Sequence, residues 1–144
     1  MATTIHPDDM RFCISTIRLL ASRSRAMRAR VGCVIWHDEK RSIVSIGYNG
    51  TLPGEDNIME MDNKTLPSVI HAEDNALRKL SGWERFWHSK YYTVFVTHTP
   101  CLNCAKLIVD AGVRRVYYLD NYGSHAGVEH LQKHQVEVMR LIQA

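Results

Sequence analysis

The chain has 144 residues, 45% hydrophobic and 23% charged, with four Cys, eight His and a formal net charge of +3. That length suits one globular domain over 1–144 with a core large enough to fold without disulfides. No run of about 18 apolar residues could span a bilayer, the first residues lack the charged-then-apolar pattern of a signal peptide, and the charge is too mild by itself to imply nucleic-acid binding. The expected compartment is a reducing cytoplasm with no membrane association, where Cys residues act as thiols or metal ligands.

From Asp8 to Ser22, Met10, Ile14, Ile17 and Ala21 recur at helical spacing, and Pro7 with two following Asp suits a helix start. Arg18, Arg23, Arg25, Arg28 and Arg30 then cluster, with no acidic residue between Arg11 and Asp38. The cluster reads either as a solvated helix end or as a phosphate contact. Val31–Trp36 and Ser42–Tyr48 are β-rich runs joined by a polar turn, an expected antiparallel hairpin. Asn49 to Ser68 holds Gly50, Pro53, Gly54 and Pro67 and no clear period, so it reads as a long loop. A helix is expected over His71–Leu80, stopped near Ser81-Gly82, and a strand over Tyr91–Thr97. Pro100 opens a helix over Cys101–Ala111 that Gly112 closes. A strand (Val113–Leu119), a short helix (Gly127–His134) and a last strand (Val136–Leu141) complete the chain. The order α-β-β-α-β-α-β-α-β predicts a three-layer α/β/α domain: a five-stranded mixed sheet with helices on both faces and its last three strands parallel.

Two motifs carry chemistry. His71-Ala72-Glu73 and Pro100-Cys101-Leu102-Asn103-Cys104 each begin a predicted helix. The helix dipole and free N–H groups there favour thiolates, and Cys101 and Cys104, three apart, are expected on one helix face. His71, Cys101 and Cys104 would supply one nitrogen and two sulfurs, leaving one tetrahedral position open, as in catalytic rather than structural zinc sites. Glu73, two residues after His71, can stand beside the ion without ligating it. Either motif alone is a weak signal, but the combination matches the signature of zinc deaminases. Cys13 and Cys33 lie on apolar periodic segments and read as buried packing thiols.

With these motifs in view, the chain resembles the cytidine and deoxycytidylate deaminase superfamily, in particular its deoxycytidylate branch, from about Ile14 to Val138. Four stretches carry the resemblance: Ser24–Ile35 (SRAMRARVGCVI), Gly47-Tyr48-Asn49-Gly50, His71–Leu77 (HAEDNAL) and Pro100–Val113 (PCLNCAKLIVDAGV). It implies a cytidine deaminase-like fold, one catalytic Zn2+ and hydrolysis of dCMP to dUMP and ammonia for thymidylate synthesis. In that chemistry zinc makes a water acidic enough to ionise near neutral pH, and Glu73 carries protons to the ring N3 and the departing amine.

The resemblance also implies that Asn49 contacts the sugar or phosphate, although locally an Asn-Gly turn with positive φ explains it as well. Ala72 and Tyr122 would line the nucleotide site, although Tyr122 also reads as a surface tyrosine. Arg25, Arg28 and Arg30 are the local candidates for the 5′-phosphate. His98 would lie near the pocket rim, touching ligand or capping the turn. Asp74 could raise the pKa of Glu73 if both faced the pocket, but neighbours on a helix point about 100° apart. Family membership further suggests a homohexamer, dCTP and dTTP as effectors with Mg2+, and a regulatory loop containing Gly50, Glu55 and Asp56, where the two carboxylates either meet magnesium or solubilise the loop. The aromatic stretch Trp83–Tyr92 (WERFWHSKYY) reads as packing or subunit contact, or as a stacking platform. Other readings are a deaminase acting on tRNA or another nucleic acid, a free cytidine or deoxycytidine deaminase, and a non-enzymatic zinc-stabilised module. The modest charge and the absence of a fourth protein ligand weigh against the first and the last.

Overall fold

The computed structural model describes residues 5–27, 29–51, 59–61, 64–65 and 69–141. Five helices, α1 (Pro7–Ala21), α2 (Ala72–Arg78), α3 (Gly82–His88), α4 (Leu102–Asp110) and α5 (Ala126–Lys133), accompany a short 3₁₀ turn at Ser89–Tyr91. The strands are β1 (Gly32–His37), β2 (Ser42–Tyr48), β3 (Glu60–Met61), β4 (Lys64–Thr65), β5 (Tyr92–His98), β6 (Arg115–Asp120) and β7 (Glu137–Arg140). The main sheet runs β2-β1-β5-β6-β7, while β3 and β4 pair only with each other. β1 is antiparallel to both β2 and β5, and β5, β6 and β7 are parallel, as expected from the helical crossovers between them.

Strand alternation explains the three layers. On one face Cys33, Ile35, Val94, Val96, Val116 and Tyr118 meet α2, α4 and α5 through Ala72, Ala76, Ala105, Ile108 and Leu131. On the other, Val34, Trp36, Phe95, Tyr117 and Leu119 meet Cys13, Ile14, Ile17 and Leu20 of α1. Successive residues of β1 thus serve opposite cores, which is why all six are buried. Cys13 and Cys33 are fully buried in these two cores, and burial pushes the Cys13 thiol up to about 12 and Cys33 well above its ordinary range. They are packing groups.

The structure adds elements that periodicity does not show. Helix α3 occupies the first part of the aromatic stretch; its Trp83 and Trp87 rings lie 5.2 Å apart and are 66% and 51% exposed, so neither is a core residue of this chain. Tyr92, by contrast, is buried, and Tyr91 stacks on His37. Two-residue strands β3 and β4 lie inside the long loop, too short to carry a period of two.

Close backbone approaches fix the two helices that matter most. A side chain at Gly47 would fall 2.4 Å from the Ala72 carbonyl oxygen, and one at Gly127 would fall 2.1 Å from that of Pro100. Gly47 lets β2 press on the first turn of α2, and Gly127 lets α5 press on the entry to α4. Ser45 Oγ donates to the Ala76 carbonyl and Asn75 Nδ2 to the Tyr48 carbonyl, which pins α2 to β2.

Helices α4 and α5 end alike. Gly112 N–H donates to Val109 O and Val113 N–H to Ile108 O; Gln135 N–H donates to Gln132 O and Val136 N–H to Leu131 O. Both are Schellman endings, with Gly112 at φ 80° and Gln135 at φ 60°. Only Gly adopts that region without a Cβ penalty, so Gln135→Gly is expected to stabilise the fold by about 0.5–1 kcal/mol. Thermal unfolding should show a rise of about 2–4 °C per kcal/mol; a lowered Tm would contradict the assignment.

Candidate metal and active site

His71 and Cys101 are the N-caps of α2 and α4, both in extended backbone conformation. Cys101 therefore precedes the helix instead of sharing a face with Cys104. Its sulfur turns back to accept the Cys104 N–H at 3.5 Å, the ordinary geometry of a cap, and this brings both thiols together. His71 Nδ1 lies 3.5 Å from Cys101 Sγ and 3.4 Å from Cys104 Sγ, and all three ligand atoms lie within 4.8 Å of one another. Zn–N and Zn–S bonds of about 2.0 and 2.3 Å at a tetrahedral angle place nitrogen and sulfur about 3.5 Å apart. The donor set fits a zinc ion by chemistry and by spacing.

Without an ion the three side chains share protons. The Cys101 thiol is pulled down to about 4, chiefly because Cys104 donates to its thiolate, with His71 adding a further hydrogen bond. Cys104 correspondingly holds its proton and moves up. His71 moves up, first through its hydrogen bond to Cys101. An arriving divalent cation would displace the Cys104 proton and bind both sulfurs as thiolates.

Glu73 is 4% exposed, and burial pushes its carboxyl up to about 7. The Cys101 thiolate adds to that rise, while His71 and a hydrogen bond from Cys104 oppose it. Asp74 has no part in it: its carboxylate turns away to meet Arg78 Nη2 at 3.0 Å on the helix surface. A single step along the helix thus separates a proton-carrying carboxyl from a solvated one.

A cavity opens over these groups, lined by His71, Ala72, Glu73, Cys101, Asn49, His98 and Tyr122, with Ala26, Ala29, Met59 and Val69 as an apolar wall. Asn49 Oδ1 accepts from Val31 N–H at 2.9 Å and its Nδ2 donates to Ala29 O at 2.8 Å, so the carboxamide is held in one orientation. Asn49 is not among the residues of positive φ, which removes the simple turn explanation for it. Tyr122 is fixed by Thr99, whose hydroxyl donates to the Tyr122 carbonyl and accepts its N–H. That clamp is not legible in sequence, because it depends on β5 lying beside β6; the adjacency of Thr99 to Pro100-Cys101 is its one hint.

The arginines behave differently. Arg25 and Arg30 line a separate surface depression with Ser22, Arg23 and Ser24, not the cavity over Glu73. Arg28, Glu55 and Asp56 lie outside the described residues. Gly50 pairs its backbone with Ile70 in an isolated bridge and does not line the cavity.

Residues 8–120 match the model of the cytidine and deoxycytidylate deaminase zinc-binding region. The chain belongs to that deaminase family. Among its relatives, the ComE operon protein 2 of Bacillus subtilis is 33% identical over 78% of this chain and 60% of its own length. The deoxycytidylate deaminase of Homo sapiens is 35% identical over 72% of this chain and 60% of its own. The chain spans roughly half the length of the curated relatives it matches. A crystal structure of the dCMP deaminase of cyanophage S-TIM5, in complex with dCMP and dUMP, superposes with a TM-score of 0.84 at 33% identity, covering 96% of this chain and all of that one. Its agreement supports the same α/β deaminase fold here. No described helix is long and apolar enough to cross a membrane.

The raised pKa of Glu73 sets a stability test on metal-stripped protein. The unfolded chain releases this proton near 4.5 and the folded one near 7, so stability is lost as pH rises through that window. Glu73→Gln is expected to unfold like wild type below pH ~4.5 and to be more stable by on the order of 3 kcal/mol well above pH ~7. Urea denaturation at the two extremes reads this directly, and an unchanged difference across pH would contradict it.

Proposed function

We propose that this protein removes the 4-amino group of dCMP by hydrolysis, giving dUMP and ammonia. The match across 96% of this chain to a dCMP deaminase crystallised with dCMP and dUMP carries the reading, and the His/Cys/Cys cluster beside a buried Glu is its chemical support. Zinc, when bound by His71, Cys101 and Cys104, supplies Lewis acidity that lets a water ionise near neutral pH. Glu73 does the proton work. With a pKa near 7 it is poised to accept a proton from water and deliver it to N3 of the cytosine ring. It then takes the proton of the hydroxyl added at C4, as the C4 carbonyl forms, and passes it to the departing amine.

The remaining residues bind and orient. Ala72, at the first position of α2, offers a backbone N–H from the helix turn that has no intrahelical acceptor. The locked Asn49 carboxamide retains one N–H for the sugar or phosphate. Tyr122 closes the far wall. Ala26 and Ala29 line the cavity, and their neighbours in sequence, Arg25, Arg28 and Arg30, are the arginines that could serve the 5′-phosphate. On family membership we extend the proposal to a cytoplasmic homohexamer controlled by dCTP and dTTP with Mg2+, the loop of Gly50, Glu55 and Asp56 being its regulatory element.

Ammonia release from a panel of cytosine nucleosides and nucleotides, with and without dCTP and dTTP, tests this reading. The expected result is a kcat/KM for dCMP above that for deoxycytidine by about 100-fold or more, the scale of leaving a charge-assisted phosphate site unfilled. Equal values would remove phosphate recognition. Turnover confined to tRNA, with steep salt dependence, would replace the substrate class.

A further inference from the structure

The cavity is lined by a histidine that neither the zinc cluster nor Glu73 explains. His98 ends β5, lines the cavity and stands edge-on to the Tyr122 ring, with centroids 5.6 Å apart and planes at 82°. Its Nδ1 lies 2.8 Å from the hydroxyl of Thr97, which is itself 4% exposed and accepts the Gly32 N–H at 3.1 Å. A hydroxyl has one proton and two lone pairs. Gly32 fills one lone pair, and His98 Nδ1 stands at 2.8 Å, close enough to take the Thr97 proton. When the hydroxyl donates to Nδ1, the neutral ring carries its own proton on Nε2. Burial favours that neutral ring by pulling the His98 pKa below its ordinary value, with Asp120 opposing weakly. Nε2 has no hydrogen-bond partner among the described residues.

We propose that His98 is a specificity-determining residue that presents a neutral Nε2–H to an acceptor oxygen of the nucleotide, and that Thr97 is the positioning residue that fixes this tautomer. The inference rests on the deaminase reading of the cavity. A neutral imidazole N–H can donate to the base carbonyl, a sugar oxygen or a phosphate oxygen, and it discriminates against a substrate that lacks the acceptor. Thr97 acts at a distance: it touches Gly32 of β1 on one side and the imidazole on the other, so the recognition group is tied to the central strand.

The test combines ring NMR with variants of the full chain. Nitrogen-edited spectra of His98 in wild type should show the Nε2–H tautomer, and Thr97→Val should lose that signature while Thr97→Ser keeps it. His98→Phe keeps a flat ring beside Tyr122 but has no N–H; it is expected to lower kcat/KM for dCMP by about tenfold, the scale of removing one hydrogen bond. His98→Gln restores an N–H near the Nε2 position and should stay within about threefold of wild type. A loss seen with dCMP but not with deoxycytidine assigns the acceptor to the phosphate; an equal loss with both assigns it to base or sugar. An Nδ1–H tautomer, an unimpaired His98→Phe, or a His98→Gln no better than His98→Phe would overturn the inference. Should wild type turn over neither substrate, the deaminase reading fails, and dCMP affinity of the same variants with the NMR tautomer still decides the role of His98.

Discussion

Two helix caps meeting over one sheet are the constraint on which the rest of the molecule depends. His71 begins α2 and Cys101 begins α4, and their approach leaves one nitrogen and two sulfurs at the mutual spacing of a tetrahedral zinc site. That approach is imposed from outside. Helices α2 and α4 share the sheet face defined by Cys33, Ile35, Val94 and Val96, β2 presses on α2 at Gly47, and α5 presses on Pro100-Cys101 at Gly127. The ligands are thus fixed by backbone packing, with no need for long side chains to find one another.

The same packing creates the chemistry of Glu73. Helical geometry turns Glu73 inward and its neighbour Asp74 outward, so burial raises one carboxyl to about 7 while the other pairs with Arg78 at the surface. A carboxyl that titrates near neutrality is suited to moving protons in both directions. Its desolvation costs stability, and the apolar packing of Ala72, Ala76 and Leu77 against the sheet offsets that cost by holding the turn in place.

The zinc ligands and Glu73 are legible in the sequence because their signal is local: short spacings at helix starts. The layers are legible from hydrophobic period, and the parallel order of β5, β6 and β7 from the helices between them. Features that depend on distant strands are not. The Thr99–Tyr122 clamp exists because β5 and β6 pair in the register His98↔Asp120, which no spacing reveals. Helix α3 escapes a reading by period because WERFWHSKYY is aromatic in a way that suits helix or strand equally, and β3 and β4 are too short to show alternation. The arginine cluster is legible as charge but not as location: Arg25 and Arg30 face their own depression, and it is the neighbouring alanines, Ala26 and Ala29, that reach the cavity.

The most direct test of the proton-carrying role of Glu73 beside a zinc ion is zinc content and dCMP turnover determined on the same preparation of wild type and Glu73→Ala. One zinc per chain is expected in both, with turnover of the variant reduced by on the order of 10²–10⁴-fold, as for loss of a general acid–base. Substantial turnover by Glu73→Ala at full zinc occupancy would contradict it.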